Sequence, residues 1–116
     1  MTPEEAMAMA KQVHENCARE NKLSDVKLVL DKKLFETNAA AATQNQKCFL
    51  QCAFRQFNIL DAAEKIIAKD VEQYLNFIAN DKSKVPAALK ACLDVKGADN
   101  CDLAFNLEKC LHGQII

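Results

Sequence analysis

The sequence predicts an all-α protein, and two observations lead to this prediction. Its 116 residues include only two glycines and two prolines, whereas a sheet protein needs frequent turn residues. Apolar residues also recur at helical spacing, for example at Val71, Leu75 and Ile78. A chain of this length forms one domain, so we expect six helices in a single domain that spans residues 1–116.

The first helix is predicted over residues 3–20. Thr2 precedes it as a candidate N-cap, Pro3 suits the first helical position, and Glu5 is placed to complete a capping box. A narrow apolar stripe is expected along this helix at Met9, Val13 and Cys17. A short second helix is expected after Ser24, with Val26, Leu30 and Leu34 on one face, and residues 36–42 connect it to the third.

The third helix, predicted over residues 43–58, is expected to be central. Cys48 and Cys52 are four residues apart and share one side. Leu50, Phe54 and Phe57 occupy nearly the opposite side. A helix with two apolar sides is buried on both.

Three more helices complete the prediction. A turn without glycine over residues 60–64 leads to the fourth, over residues 65–80, which has a wide apolar arc. The fifth begins near Ser83, with Pro86 tolerated in its first turn, and Gly97 is expected to end it. The sixth is predicted over residues 100–112. Gly113 is expected to break its last turn, so that the tail folds back without becoming helical.

Six cysteines, at positions 17, 48, 52, 92, 101 and 110, are separated by 30, 3, 39, 8 and 8 residues. An even number in so short a chain indicates three disulfide bonds, and such bonds are typical of secreted proteins. Cys101 and Cys110 are nine apart, on opposite sides of a helix, so the last helix is tied from both sides. The spacing alone does not choose among the roughly 15 possible pairings.

This cysteine pattern closely resembles that of the insect odorant-binding proteins, including the pheromone-binding proteins. The gaps of three and eight residues match, and residues 52–61 resemble the family's third helix entering a turn. The resemblance implies bonds Cys17–Cys52, Cys48–Cys101 and Cys92–Cys110, and a compact fold around an internal hydrophobic cavity. It further implies a secreted carrier of odorants, pheromones or fatty-acid-like molecules, in sensillar lymph or another secretion. A chemosensory receptor and a weak homodimer are the protein partners that it suggests.

The candidate ligand-binding residues are the apolar-face residues that the disulfide bonds leave free, on the helices that the family uses. We call them the predicted wall: Leu50, Phe54, Phe57, Ile67, Val71, Tyr74, Leu75, Ile78, Leu89, Phe105, Leu111 and Ile115. Tyr74 is the polar member, and its hydroxyl is expected to bind either a backbone carbonyl or the polar end of a ligand.

Other function classes find little support. The net charge is −1, and only Arg19 and Arg55 of the 15 basic residues are arginines, which disfavours nucleic-acid binding. No apolar run reaches the ~18 residues that a membrane helix needs, so stable membrane insertion is not expected. No cofactor is implied. The two histidines stand far apart, which argues against a metal site, and both serines stand where helices start, which argues against an enzyme.

Two alternatives remain open at this stage. A saposin-like lipid-interacting protein is also helical with three disulfide bonds, but it needs cysteine pairs near both chain ends, which this spacing lacks. A secreted interaction protein without a usable cavity would have the same helices and a filled core.

Overall fold

The computed structural model describes residues 2–23, 42–79 and 81–115, which form five α-helices and one short 3₁₀-helix. The predicted second helix after Ser24 lies outside the described residues. The all-α, three-disulfide fold is confirmed.

Helix α1 spans Pro3–Glu20, as predicted. The Thr2 hydroxyl accepts a hydrogen bond from the Glu5 amide at 3.1 Å, which satisfies one of the free amides of the first turn. Val13 and Cys17 are buried, but Met9 is 37 % exposed, so the expected apolar stripe starts later than predicted.

Helix α2 spans Gln44–Gln56 and is central, as predicted, since it packs against both α1 and the last helix. Thr43 begins it with a complete capping box, in which the Gln46 side chain accepts a bond from the Thr43 amide. Phe57 is the C-cap residue of this helix, and Asn58 takes a positive φ of 62°.

The turn after α2 replaces the predicted first residues of the next helix. Leu60 and Ile66 form an isolated antiparallel bridge, and the Asp61 carboxylate accepts a hydrogen bond from the amide of Lys65 at 2.9 Å. Because these backbone groups are used in the turn, helix α3 spans Ala68–Ile78 and starts later than predicted. Ile67 of the predicted wall precedes this helix as its N-cap residue.

The fifth predicted helix is interrupted and shorter. A 3₁₀-helix at Lys82–Lys84, capped by Asp81, leads into α4 at Val85–Cys92, with Pro86 in its first turn. The expected end at Gly97 is wrong. Gly97 has no positive φ. Its backbone instead lies close to that of Leu103, and a Cβ on Gly97 would overlap the Leu103 amide nitrogen.

Helix α5 spans Asn100–Ile115, so the prediction of a non-helical tail folded back after Gly113 is wrong. An internal glycine costs a helix only about 0.5–1 kcal/mol relative to alanine, too little to end a helix whose hydrogen bonds continue.

Three disulfide bonds connect these helices: Cys17–Cys52 joins α1 to α2, Cys48–Cys101 joins α2 to α5, and Cys92–Cys110 joins α4 to α5. This is the pairing that the family resemblance implies. The largest fully buried side chains between the bonds are Phe49, Ile59, Leu60, Val71, Leu75, Leu107 and Leu111.

Candidate functional site

A cleft of about 680 Å³ lies along one face of α1. Its described lining comes from α1, from the residues that follow it, and from one side chain of α3. We call these residues the α1 cleft: Met7, Ala10, Lys11, His14, Glu15, Ala18, Arg19, Leu23 and Phe77. The α1 members recur every three or four residues, so they form a single helix face.

The apolar part of the α1 cleft includes two large side chains that are open to solvent. Met7 is 65 % exposed and Phe77 is 53 % exposed, whereas Ala18, deeper in the cleft, is buried. Large apolar groups exposed side by side are a common mark of a binding surface. The cleft can therefore accept an apolar molecule along α1.

Charged side chains border the same face. Lys11, Glu15 and Arg19 are four residues apart and exposed. Two of the three are cations, so a ligand with a carboxylate could keep its head group in water beside a positive charge while its chain enters the cleft.

His14 connects the α1 cleft with the protein interior. Its ring lies 5.9 Å from the ring of Phe49 and 6.1 Å, edge-on, from the ring of Phe57. Burial lowers the pKa of His14 below its usual value, and the nearby Glu108 carboxylate partly opposes this effect. His14 is therefore held mainly neutral at pH 7, among aromatic rings.

Glu108 is the buried charged residue among those described, with 3 % exposure. Nε2 of His112 lies 2.7 Å from its Oε1, and the Tyr74 hydroxyl lies 3.3 Å from its Oε2 and 3.5 Å from its Oε1. Burial, and next the negative charge of Glu108, raise the pKa of Tyr74 well above its usual value. We call Glu108, Tyr74 and His112 the Glu108 cluster.

In the structure the Tyr74 hydroxyl donates to a carboxylate of α5 and not to a backbone carbonyl, whereas its contact with a ligand stays a prediction. Glu108 was not among the residues that the sequence predicts for the site. A signal was present: Ala104, Glu108 and Leu111 are spaced for one helix face, and both neighbours are buried.

Most of the predicted wall lies in the hydrophobic core. Six members are buried, and Phe57, Tyr74 and Leu89 are partly buried against them. Ile67 is half-buried before α3, and the side chains of Ile78 and Ile115 lie outside the described part of the structure. The six buried members are Leu50, Phe54, Val71, Leu75, Phe105 and Leu111.

The described lining of the α1 cleft contains none of the twelve residues of the predicted wall. It includes His14, which the sequence does not predict as a ligand contact.

Comparison with known proteins places the fold. The model of the PBP/GOBP family matches residues 1–114. The chain belongs to the PBP/GOBP family. It is 34 % identical over 110 residues to general odorant-binding protein 56a of Drosophila melanogaster, covering 94 % of this chain and 75 % of the relative.

Two solved structures are similar to this member of the PBP/GOBP family. One is the fatty acid binding protein OBP56a from the oral disk of the blowfly Phormia regina, with a TM-score of 0.71 and 30 % identity over 98 % of this chain and 94 % of the other. The other is the odorant-binding protein dmelOBP28a from Drosophila melanogaster, with a TM-score of 0.73, 24 % identity and coverage of 98 % and 95 %. The second likeness supports the fold alone.

Family membership gives the coarse function. The chain is a carrier of small hydrophobic ligands, as predicted, and neither the saposin-like protein nor the interaction protein without a cavity is favoured. The PBP/GOBP family consists of secreted carriers and not of enzymes. None of the helices within the described ranges is long and apolar enough to cross a membrane.

Proposed function

We propose that this protein is a secreted carrier of fatty-acid-like molecules and that the α1 cleft is its ligand-binding site. The observation that carries the proposal is the combination of an open apolar cleft and a border with two cations, Lys11 and Arg19. The blowfly relative, named as a fatty acid binding protein, supports the same ligand class.

The size and chemistry of the α1 cleft suit such a ligand. Its volume of about 680 Å³ falls within the range of about 300–1,000 Å³ for small-molecule sites, which are mainly apolar with a few orienting polar groups. A flexible alkyl chain would gain roughly 25 cal/mol for each Å² that it removes from water. The binding free energy would thus come from burial of the alkyl chain, and the orientation of the ligand from its head group.

Within the predicted wall, Phe57 is our candidate for direct ligand contact, because it touches His14 at the inner side of the α1 cleft. The six buried members of the predicted wall would pack behind the lining residues of the α1 cleft and hold them in place. Delivery to a chemosensory receptor, weak dimer formation and a sensillar setting remain predictions for this chain.

Displacement of a fluorescent naphthylamine probe tests the proposal. Dodecanoate should displace the probe, and the double variant Lys11→Ala, Arg19→Ala should bind dodecanoate at least about threefold more weakly, because two exposed ion pairs are lost. Dodecanol, which has no charge, should bind the variant and the parent protein within twofold.

The matched control is Lys90→Ala, which removes an exposed lysine from α4, outside the α1 cleft. It should leave both affinities unchanged. Failure of both ligands to displace the probe from the parent protein, or an equal loss for both ligands in the double variant, would contradict the proposal.

A further inference from the structure

His14 is a half-buried polar residue in the middle of the α1 cleft. The centre of its ring lies 5.9 Å from that of Phe49 and 6.1 Å from that of Phe57. A phenylalanine could make the same contacts between rings. The packing of this side chain therefore gives no role to its two ring nitrogens.

Those ring nitrogens are available to a ligand. A neutral imidazole has one donor and one acceptor nitrogen. Within the described part of the chain, neither nitrogen of His14 has a hydrogen-bond partner, and neither is among the buried polar atoms that lack one. Ala10 and Ala18, four residues before and after His14, line the same helix face and are too small to cover the ring.

A ligand that fills the α1 cleft displaces water from these nitrogens. A plain alkyl chain gives them no hydrogen bond in return, and a polar group that loses water without a new partner weakens binding. A hydroxyl both donates and accepts, so it can replace the water. Binding sites with polar groups of this kind discriminate strongly against analogues that lack the matching group.

We propose that His14 is the specificity-determining residue of the α1 cleft and that it hydrogen-bonds the hydroxyl of long-chain alcohols. This inference rests on the proposed function, since it needs the α1 cleft to be the ligand site. Fatty acids are oriented by Lys11 and Arg19 at the border of the cleft, whereas alcohols are oriented by His14 within it. Met7 and Phe77 provide apolar surface for the alkyl chain of either ligand.

The test compares dodecanol with 1-chlorododecane, which has the same chain and no hydroxyl, in the full chain with its disulfide bonds intact. Probe displacement gives both affinities for the parent protein and for His14→Phe, which keeps an aromatic ring beside Phe49 and Phe57. The ratio of dodecanol affinity to chlorododecane affinity should be about tenfold lower in the variant. Dodecanol loses its hydrogen bond there, and chlorododecane no longer covers unpaired nitrogens. A purely structural role of His14 would change both affinities alike and leave the ratio unaltered.

A second substitution and a control make this comparison specific. His14→Gln retains a donor and an acceptor, so its affinity ratio should lie between those of the parent protein and His14→Phe. The control is Gln12→Ala, which removes an exposed polar side chain of α1 outside the described lining of the cleft and should keep the parent ratio. Circular dichroism checks that each variant is folded, and His14→Leu provides the same comparison if His14→Phe does not fold.

An unchanged ratio in His14→Phe would overturn this inference, and so would a ratio in His14→Gln no higher than in His14→Phe. The proposed function would remain intact in either case, provided that dodecanoate still binds through Lys11 and Arg19. If neither dodecanoate nor dodecanol displaced the probe from the parent protein, the inference and the proposed function would both fail.

Discussion

At the scale of single residues, the two glycines have opposite structural roles that local sequence patterns do not distinguish. Such patterns predict that each ends a helix. Gly97 instead allows the chain to pass close to the first turn of α5, and Gly113 lies inside α5, where a Cβ would meet no atom within 4 Å. A glycine that permits close approach depends on a contact with another segment, which the residues around it do not reveal.

The two glycines therefore give a matched pair of substitutions. Gly97→Ala would place a Cβ against the Leu103 amide nitrogen, a backbone atom that cannot turn away as a side chain can. We expect it to lower the free energy of unfolding by about 1–3 kcal/mol. Gly113→Ala should raise it by up to about 0.5 kcal/mol, because alanine loses less backbone entropy in a helix.

Urea denaturation measures both changes. A neutral Gly97→Ala would show that the loop before α5 can move away, and a destabilising Gly113→Ala would show that the end of α5 is not helical in solution.

At the scale of elements, the sequence predicted what depends on local chemistry and periodicity. The start of α1 follows from Thr2 and Pro3, and the central position of α2 follows from its two apolar sides. The predicted start of α3 is wrong because the Leu60–Ile66 bridge takes backbone groups that a helix would use. The candidate site was predicted less well, because periodicity marks a residue as buried without showing whether it faces a ligand or the core.

Helix α2 and its C-cap residue offer a test of this distinction. Phe54 is 2 % exposed within the core, whereas Phe57 is partly buried and touches His14. Phe54→Ala should lower the free energy of unfolding by about 3–5 kcal/mol and leave dodecanoate affinity within twofold under conditions where the variant is folded. Phe57→Ala should lower the free energy of unfolding by less than Phe54→Ala does, and it should weaken dodecanoate binding severalfold.

Denaturation and probe displacement on the same samples separate the two effects. If Phe57→Ala left the affinity within twofold while lowering stability, Phe57 would be a core residue, and its assignment to the ligand site would be wrong.

At the scale of the whole molecule, the three disulfide bonds hold the helices around a site that is open on one side. The α1 cleft exposes Met7 and Phe77, so these side chains contribute little burial to the core. Cross-links compensate for this, since they restrict the unfolded chain and thereby favour the folded one without filling the cleft. An open apolar cleft and a small stable domain are compatible for this reason.

This compensation predicts a ranking among variants that lack one disulfide bond. Cys48–Cys101 spans 53 residues of sequence, Cys17–Cys52 spans 35, and Cys92–Cys110 spans 18. In the chain-entropy account, removing the bond that closes the longest loop should lower the free energy of unfolding by about 4 kcal/mol, and removing the bond that closes the shortest should lower it by about 3 kcal/mol.

Replacing both cysteines of a pair by alanine also removes buried sulfur atoms, so the free energy of unfolding alone does not isolate the effect of the loop. The urea m-value does, because it reports the surface that the unfolded chain exposes. It should rise in every variant, and most in Cys48→Ala, Cys101→Ala, since that unfolded chain expands furthest. Equal m-values in the three variants and the parent protein would show that the bonds stabilise the folded helices directly. Packing elsewhere, and not a restricted unfolded chain, would then offset the burial that the exposed side chains of the cleft do not contribute.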